Sequence, residues 1–116
     1  VAQVTIYHNP KCSKSRETLA LLQRRGVAPR VIEYLKTPPS AAELDRILKL
    51  LDLEPRALMR RNEAEYRDLG LDNDELTRAQ LIKAMVENPR LIERPIVLAN
   101  GKAVIGRPPT NALKIV

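Results

Sequence analysis

The chain contains one residue that can act as a soft nucleophile, Cys12, in the stretch Tyr7-His8-Asn9-Pro10-Lys11-Cys12-Ser13-Lys14-Ser15-Arg16. This stretch lies between an apolar run and an amphipathic pattern, which is a strand–loop–helix context. A thiol at a helix N-terminus meets unpaired backbone N–H groups and the positive end of the helix dipole. Lys11, Lys14 and Arg16 add cationic neighbours in sequence, and each of these influences favours thiolate over thiol. Cysteine pKa values in such settings fall to roughly 3.5–7.5 from about 8.5, which makes the sulfur a working nucleophile at neutral pH. The bland alternative is a small buried hydrophobe, but inert cysteines favour apolar surroundings and these flanks are polar. The chain therefore reads first as a thiol enzyme.

Spacing narrows the chemistry. A dithiol oxidoreductase carries Cys-x-x-Cys, whereas Cys12 is followed at that position by Ser15, and the chain has no second sulfur of this kind. A thiol reductase built this way must take its resolving thiol from outside, from glutathione or a partner protein. A phosphatase-type loop needs Cys-x5-Arg, and the corresponding position is Thr18. Three arginine sites are candidates to act beside the thiol: Arg94 before Pro95, Arg107 before Pro108, and Arg60 with Arg61 next to it. Arginine presents a fixed fork of donors that fits tetrahedral oxyanions. Alone, each would more often be a surface or ion-paired residue, with Glu63 and Glu93 as the obvious local partners. On a helix Arg60 and Arg61 would point about 100° apart, so only one of them would face the thiol.

The elements that must position these groups alternate along the chain. Val4 to Tyr7 is a short β-branched run ended by Asn9-Pro10. A helix from about Ser13 to Arg25 places Leu19 and Leu22 on one face. It stops at Gly26, with Arg24 and Arg25 in the last turn and Pro29 beyond. Val31 to Tyr34 makes a second strand, so this third of the chain reads as a βαβ unit with parallel strands. Ser40 and Glu43 have capping-box spacing before the buried stripe Leu44, Ile47, Leu48 and Leu51. A shorter helical stretch is expected from Pro55 to about Arg61 and another from Ala64 to Leu69, followed by a loop at Asp72-Asn73-Asp74. Thr77 and Gln80 form a second capping box for a helix bearing Leu81, Ala84, Met85 and Val86 that ends at Asn88-Pro89. Ile96 to Ala99 and Lys102 to Ile105 are joined by Asn100-Gly101, the pair suited to a type I′ turn. Thr110 to Val116 reads as a short closing helix. The sum is βαβ, a helical insertion at about 40–90, and ββα. This α/β order is that of a thioredoxin-like fold around a four-stranded mixed sheet, with residues 1–116 as one domain.

Composition sets the remaining bounds. The 116 residues suit one domain, and a hydrophobic fraction of 44% can fill its core without Trp or Phe. No stretch has the length of a transmembrane span. Val1 to Tyr7 lacks the basic and long apolar regions of a signal peptide, so a cytoplasmic location is expected, in keeping with the single cysteine. A net charge of +6 invites a nucleic-acid reading. The cations are spread along the chain among many acids, however, and the aromatics are only Tyr7, Tyr34 and Tyr66. No stacking platform or recognisable nucleic-acid module is present, and small-anion binding or a solvated basic face explains the charge as well. No His, Cys and Asp cluster has metal-ligand spacing.

Four separated motifs carry a resemblance. His8-Asn9-Pro10-x-Cys12-x-x-Ser15-Arg16, Arg56-Ala57-Leu58-x-Arg60, Glu93-Arg94-Pro95-Ile96-Val97 and Arg107-Pro108 are similar to motifs of the glutaredoxin-coupled arsenate reductases, over essentially the full chain. The resemblance implies a thioredoxin-like fold with a cis Pro95, and attack of the Cys12 thiolate on arsenate. It further implies that Arg60, Arg94 and Arg107 bind the oxyanion and that His8 and Ser15 support the thiolate. Arg60 rather than Arg61 is chosen on this ground. His8 could otherwise simply end a strand, and Ser15 simply cap a helix.

Electron counting fits the sulfur count. Arsenate to arsenite takes two electrons, and one disulfide supplies two. With Cys12 as one sulfur, glutathione would be the other, and glutaredoxin would clear the mixed disulfide. The reading thus expects no bound cofactor, no metal, glutathione as co-substrate, arsenate, glutathione and glutaredoxin as partners, a monomer, and a role in arsenical resistance. The alternatives are a general glutathione-dependent thiol/disulfide reductase and an Spx-like regulator that docks on RNA polymerase. Ser15 removes the Cys-x-x-Cys switch that such regulators often carry.

Overall fold

The four strands are short and rich in β-branched residues: β1 (Thr5–His8), β2 (Arg30–Glu33), β3 (Ile96–Ala99) and β4 (Lys102–Ile105). The computed structural model describes residues 3–116. The chain divides into two compact units, one formed by the chain up to Thr37 and again from Arg94 onward, the other by Pro38–Glu93.

In the first unit the sheet order is β2-β1-β3-β4. β1 pairs in parallel with β2, His8 opposite Glu33, and antiparallel with β3, Tyr7 opposite Ile96. β4 returns antiparallel to β3 with Ile96 opposite Ile105. This is the mixed four-stranded sheet that the element order predicts. The first two strands are each offset by one residue from the apolar runs that announce them. The β3–β4 turn has φ of 53° at Asn100 and 71° at Gly101, the two positive values that a type I′ turn requires.

Helix α1 (Ser13–Arg24) connects β1 to β2. Its end is a Schellman motif: Gly26 takes φ 78°, its N–H donates to Gln23 O, and the Val27 N–H donates to Leu22 O. Leu22 from α1 packs with Val4, Ile6, Val97, Ala99, Ala112 and Ile115 into one core cluster, with Leu19, Val27 and Val104 at its margin. The short closing helix expected from Thr110 to Val116 is a 3-10 helix over Pro109–Lys114. Asn111 Nδ2 donates to the Ile105 and Arg107 carbonyls, and side-chain bonds of this kind compete with regular helix.

The second unit is helical. Helix α2 (Ala41–Leu51) is capped by Ser40, whose Oγ accepts the Glu43 N–H at 3.1 Å, and it buries Leu44, Ile47 and Leu48. It ends without glycine: Asp52 adopts φ 56°, and the Leu53 N–H donates to Leu48 O. Short α3 (Ala64–Asp68) precedes Gly70. Helix α4 (Arg78–Glu87) starts in a reciprocal capping box, Gln80 N–H to Thr77 Oγ1 at 3.2 Å and Thr77 N–H to Gln80 Oε1 at 2.8 Å. It buries Leu81, Ile82 and Met85, and an Arg78–Asp45 bond of 2.8 Å ties it to α2.

One expected helix is cut short. The stretch from Pro55 is a 3-10 turn that stops at Leu58. Met59 is extended and forms an isolated antiparallel bridge with Ile92, and the Arg60 and Glu93 N–H groups donate to Leu91 O and Leu58 O. Long-range backbone pairing replaces the local helix there. The 100° helical separation expected of Arg60 and Arg61 therefore does not apply. No helix among the described residues is long and apolar enough to cross a membrane.

Candidate active site around Cys12

Strand directions bring four loops to one end of the sheet. β1 and β2 run in parallel, β3 runs against β1, and β4 runs against β3. The C-terminal ends of β1, β2 and β4 and the N-terminal end of β3 therefore lie at the same edge. That edge carries the Cys12 loop after β1, Tyr34 after β2, Arg94-Pro95 before β3, and Gly106-Arg107 after β4. The carboxyl ends of strands are where ligands bind in open α/β sheets.

Cys12 is the N-cap of α1, with extended backbone (φ −95°, ψ 124°), and is half-buried. Its N–H donates to Asn9 O at 3.0 Å and its carbonyl accepts the Arg16 N–H at 3.0 Å, so the loop hands directly into the helix. Burial pushes the Cys12 thiol up. The Ser15 N–H, the Arg94 guanidinium acting by hydrogen bond and by charge, and the Lys14 N–H outweigh it, and the pKa falls below its ordinary value of 9.0. Arg107 adds Nη2 at 3.5 Å from Sγ. Its Nε donates to Arg94 O at 2.8 Å, which locks the two arginine segments together. Both the Arg94–Pro95 and the Arg107–Pro108 peptide bonds are cis.

The cations that act on the sulfur are not those beside it in sequence. Lys14 pairs with Glu17 at 3.4 Å, and Arg16 Nη1 donates to Pro10 O at 2.9 Å. The Lys14 effect on the thiol is that of its backbone N–H. Arg94 is itself pulled down by burial, and is raised by Cys12 and Tyr34 more than burial lowers it, so it stays a guanidinium. Tyr34 was invisible as a site residue in the sequence, where it looked like the end of a strand.

His8 and Ser15 form a buried pair, Nδ1 to Oγ at 2.6 Å, and the Asn9 N–H donates to the same Ser15 Oγ at 3.0 Å. Burial lowers the His8 pKa, Glu33 raises it, and Arg16 lowers it further, with a net shift below 6.5. His8 is thus a neutral imidazole near pH 7. Ser15 is fully buried and is held from the strand side, so it is more than a helix-capping hydroxyl. Two further residues, Thr18 and Gly106, carry no site role in the sequence but meet each other here. Thr18 is fully buried, and its Oγ1 reaches Lys14 O at 2.8 Å and Gly106 O at 3.3 Å.

Arg60 belongs to the second unit. There it pairs with Glu63 at 3.2 Å and, from Nε, with Glu93 at 3.9 Å. Glu63 also accepts from Arg90 Nη2 at 3.1 Å. The two carboxylates named from the sequence as local partners are the ones it has. Arg61 is exposed.

The sequence profile of the ArsC family matches residues 7–115. The chain belongs to the ArsC family. Among its ArsC-like relatives, YfgD of Escherichia coli K12, described as uncharacterized, is 57% identical over 115 residues, 98% of this chain and 97% of the relative. The arsenate reductase of Neisseria meningitidis serogroup A is 50% identical over 110 residues, 94% of each chain. The solved structure of an arsenate reductase from Vibrio cholerae matches with a TM-score of 0.97 at 55% identity, covering 100% of this chain and 99% of that one. The thioredoxin-like ArsC fold read from the element order is therefore the fold of this chain.

Proposed function

We propose that this ArsC-family protein reduces arsenate to arsenite through Cys12 as the single catalytic cysteine, with glutathione supplying the second thiol and glutaredoxin clearing the product. One observation carries this reading: a thiol with lowered pKa at a helix N-terminus has two arginines on it, Arg94 by hydrogen bond and charge and Arg107 with Nη2 at 3.5 Å. Such an arrangement suits attack on a tetrahedral oxyanion whose charge the guanidinium groups neutralise without accepting a proton. In this reading Arg94 and Arg107 bind the oxyanion, and His8 and Ser15 hold the loop that presents the sulfur; the same role for Arg60, ion-paired with Glu63 and Glu93, rests on the family resemblance alone.

The reaction balances with no other redox group. The Cys12 thiolate forms an S–As bond as one arsenate oxygen leaves as water. A glutathione thiolate then attacks the Cys12 sulfur, and the S–As bonding pair stays on arsenic as As(III). Arsenate and two thiols thus give arsenite, one disulfide and one water, with arsenic gaining the two electrons that the sulfurs lose. Glutaredoxin regenerates the Cys12 thiol from the mixed disulfide.

A second reading, a general glutathione-dependent thiol/disulfide reductase, is favoured by the fact that the backbone N–H groups of Ser15 and Lys14 lower the thiol pKa independently of the arginines. One assay separates the two: NADPH consumption with glutathione, glutaredoxin and glutathione reductase, on arsenate and on a glutathione mixed disulfide, beside Cys12→Ser. Arsenate turnover that vanishes in an otherwise folded variant supports the reductase. Cys12-dependent turnover of the mixed disulfide alone moves the protein to the general thiol reductases, and silence on both substrates leaves a binding role of the Spx kind.

A further inference from the structure

We infer that Thr18 and Gly106 are positioning residues that fix the spacing between the Cys12 sulfur and the Arg107 guanidinium, and thereby the affinity of the site for a tetrahedral oxyanion. The inference rests on the anion-binding role proposed above for Arg107.

Thr18 lies within α1, one turn after Lys14, and is fully buried. A helical threonine that only bonds back to the carbonyl four residues earlier needs no second acceptor. Here the hydroxyl stands between two: Lys14 O at 2.8 Å, in the turn that carries Cys12, and Gly106 O at 3.3 Å, on the residue before Arg107. The approach is close enough to exclude a side chain at position 106. A Cβ there would lie 2.6 Å from Thr18 Oγ1 and 2.8 Å from Pro95 Cγ. Gly106 is thus needed for proximity. Its N–H donates to Pro95 O at 2.9 Å, so the residue is held from both sides. Arg107 follows at once, with Nε on Arg94 O at 2.8 Å and Nη2 at 3.5 Å from Sγ. The first turn of α1, Thr18, Gly106 and Arg107 therefore form one chain of contacts from thiol to guanidinium, and a displacement of about 1 Å at such a site can cost on the order of a hundredfold in rate.

The test is protection of Cys12 from iodoacetamide by arsenate, read as the concentration that halves the labelling rate, with thermal unfolding run alongside. Thr18→Val keeps the shape and removes the hydroxyl, and it should raise that concentration about five- to tenfold, the equivalent of one ordinary hydrogen bond. Labelling without anion should stay within about twofold of wild type. Thr18→Ser should restore wild-type protection. Gly106→Ala keeps the hydroxyl but pushes the loop away, and it should weaken protection by at least as much, which covers the case of an unstable valine variant. Because Thr18 acts through Arg107, Thr18→Val should add nothing in an Arg107→Ala background. Wild-type protection in Thr18→Val, or an effect that multiplies fully onto Arg107→Ala, would overturn the positioning role while leaving anion binding in place. A wild type that arsenate fails to protect would overturn the anion-binding reading itself, and the positioning role with it.

Discussion

At the scale of single residues, the site is a contest over one sulfur. Burial works against the thiolate, while two backbone N–H groups and the Arg94 guanidinium favour it and prevail. The sign of the resulting pH dependence is fixed: the reactive form persists as pH falls below 9.0, until the lowered pKa of the folded protein is reached. Iodoacetamide labelling against pH should inflect below the ordinary thiol range. Arg94→Ala should move that inflection upward, toward 9.0, because it removes a hydrogen bond and a charge and leaves the burial. An unmoved inflection in that variant would mean that the helix N-terminus alone tunes the thiol. The lowered-pKa thiol was legible in the sequence because polar flanks and a helix start are local features. Arg94 and Arg107 were legible only as candidates, since Lys11, Lys14 and Arg16 stand nearer along the chain, and the structure shows Lys14 and Arg16 spending their side chains on Glu17 and Pro10 O.

At the scale of elements, local rules fixed most of the boundaries. The Thr77–Gln80 capping box, the Ser40 cap, the Gly26 stop and the Asn100-Gly101 turn all form where residue types four or fewer positions apart dictate. The cap at Thr77 carries measurable stability. Thr77→Ala should lower the urea unfolding free energy by about 1 kcal/mol, with an unchanged m value. A loss below about 0.3 kcal/mol would show that packing of Leu81, Ile82 and Met85 starts α4 without its cap. Where long-range bonds compete, local rules failed. The run from Pro55 stops at Leu58 because Met59 pairs with Ile92. The end of α2 at Asp52 was silent in the sequence because an aspartate took the left-handed conformation that a glycine would have announced.

At the scale of the whole molecule, His8 links the site to folding stability. It is the chain's one histidine, and its folded pKa lies below 6.5 chiefly because it is buried. Between 6.5 and that lower value the unfolded chain binds a proton that the native protein does not. Stability should therefore decline as pH drops below about 6.5 and level off once the native imidazole also protonates. Urea midpoints measured from pH 8 to pH 5 check this, with His8→Gln as the reference. The difference between the two proteins should shrink or reverse in the variant's favour as pH falls, and a constant difference would place His8 outside the balance.

The sequence by itself determined that one cysteine stands in a strand-to-helix loop with no second thiol beside it, and it determined the alternation of strands and helices and the hairpin, because each is encoded by residues close together along the chain. Tertiary structure alone decided which cations meet the sulfur. Arg107 reaches Cys12 across 95 positions because β4 runs parallel to β1 two strands away and ends at the same edge of the sheet. Thr18, Gly106 and Tyr34 joined the site for the same reason. Their residue types carry no signal of partners that only strand order and close packing bring within bonding distance.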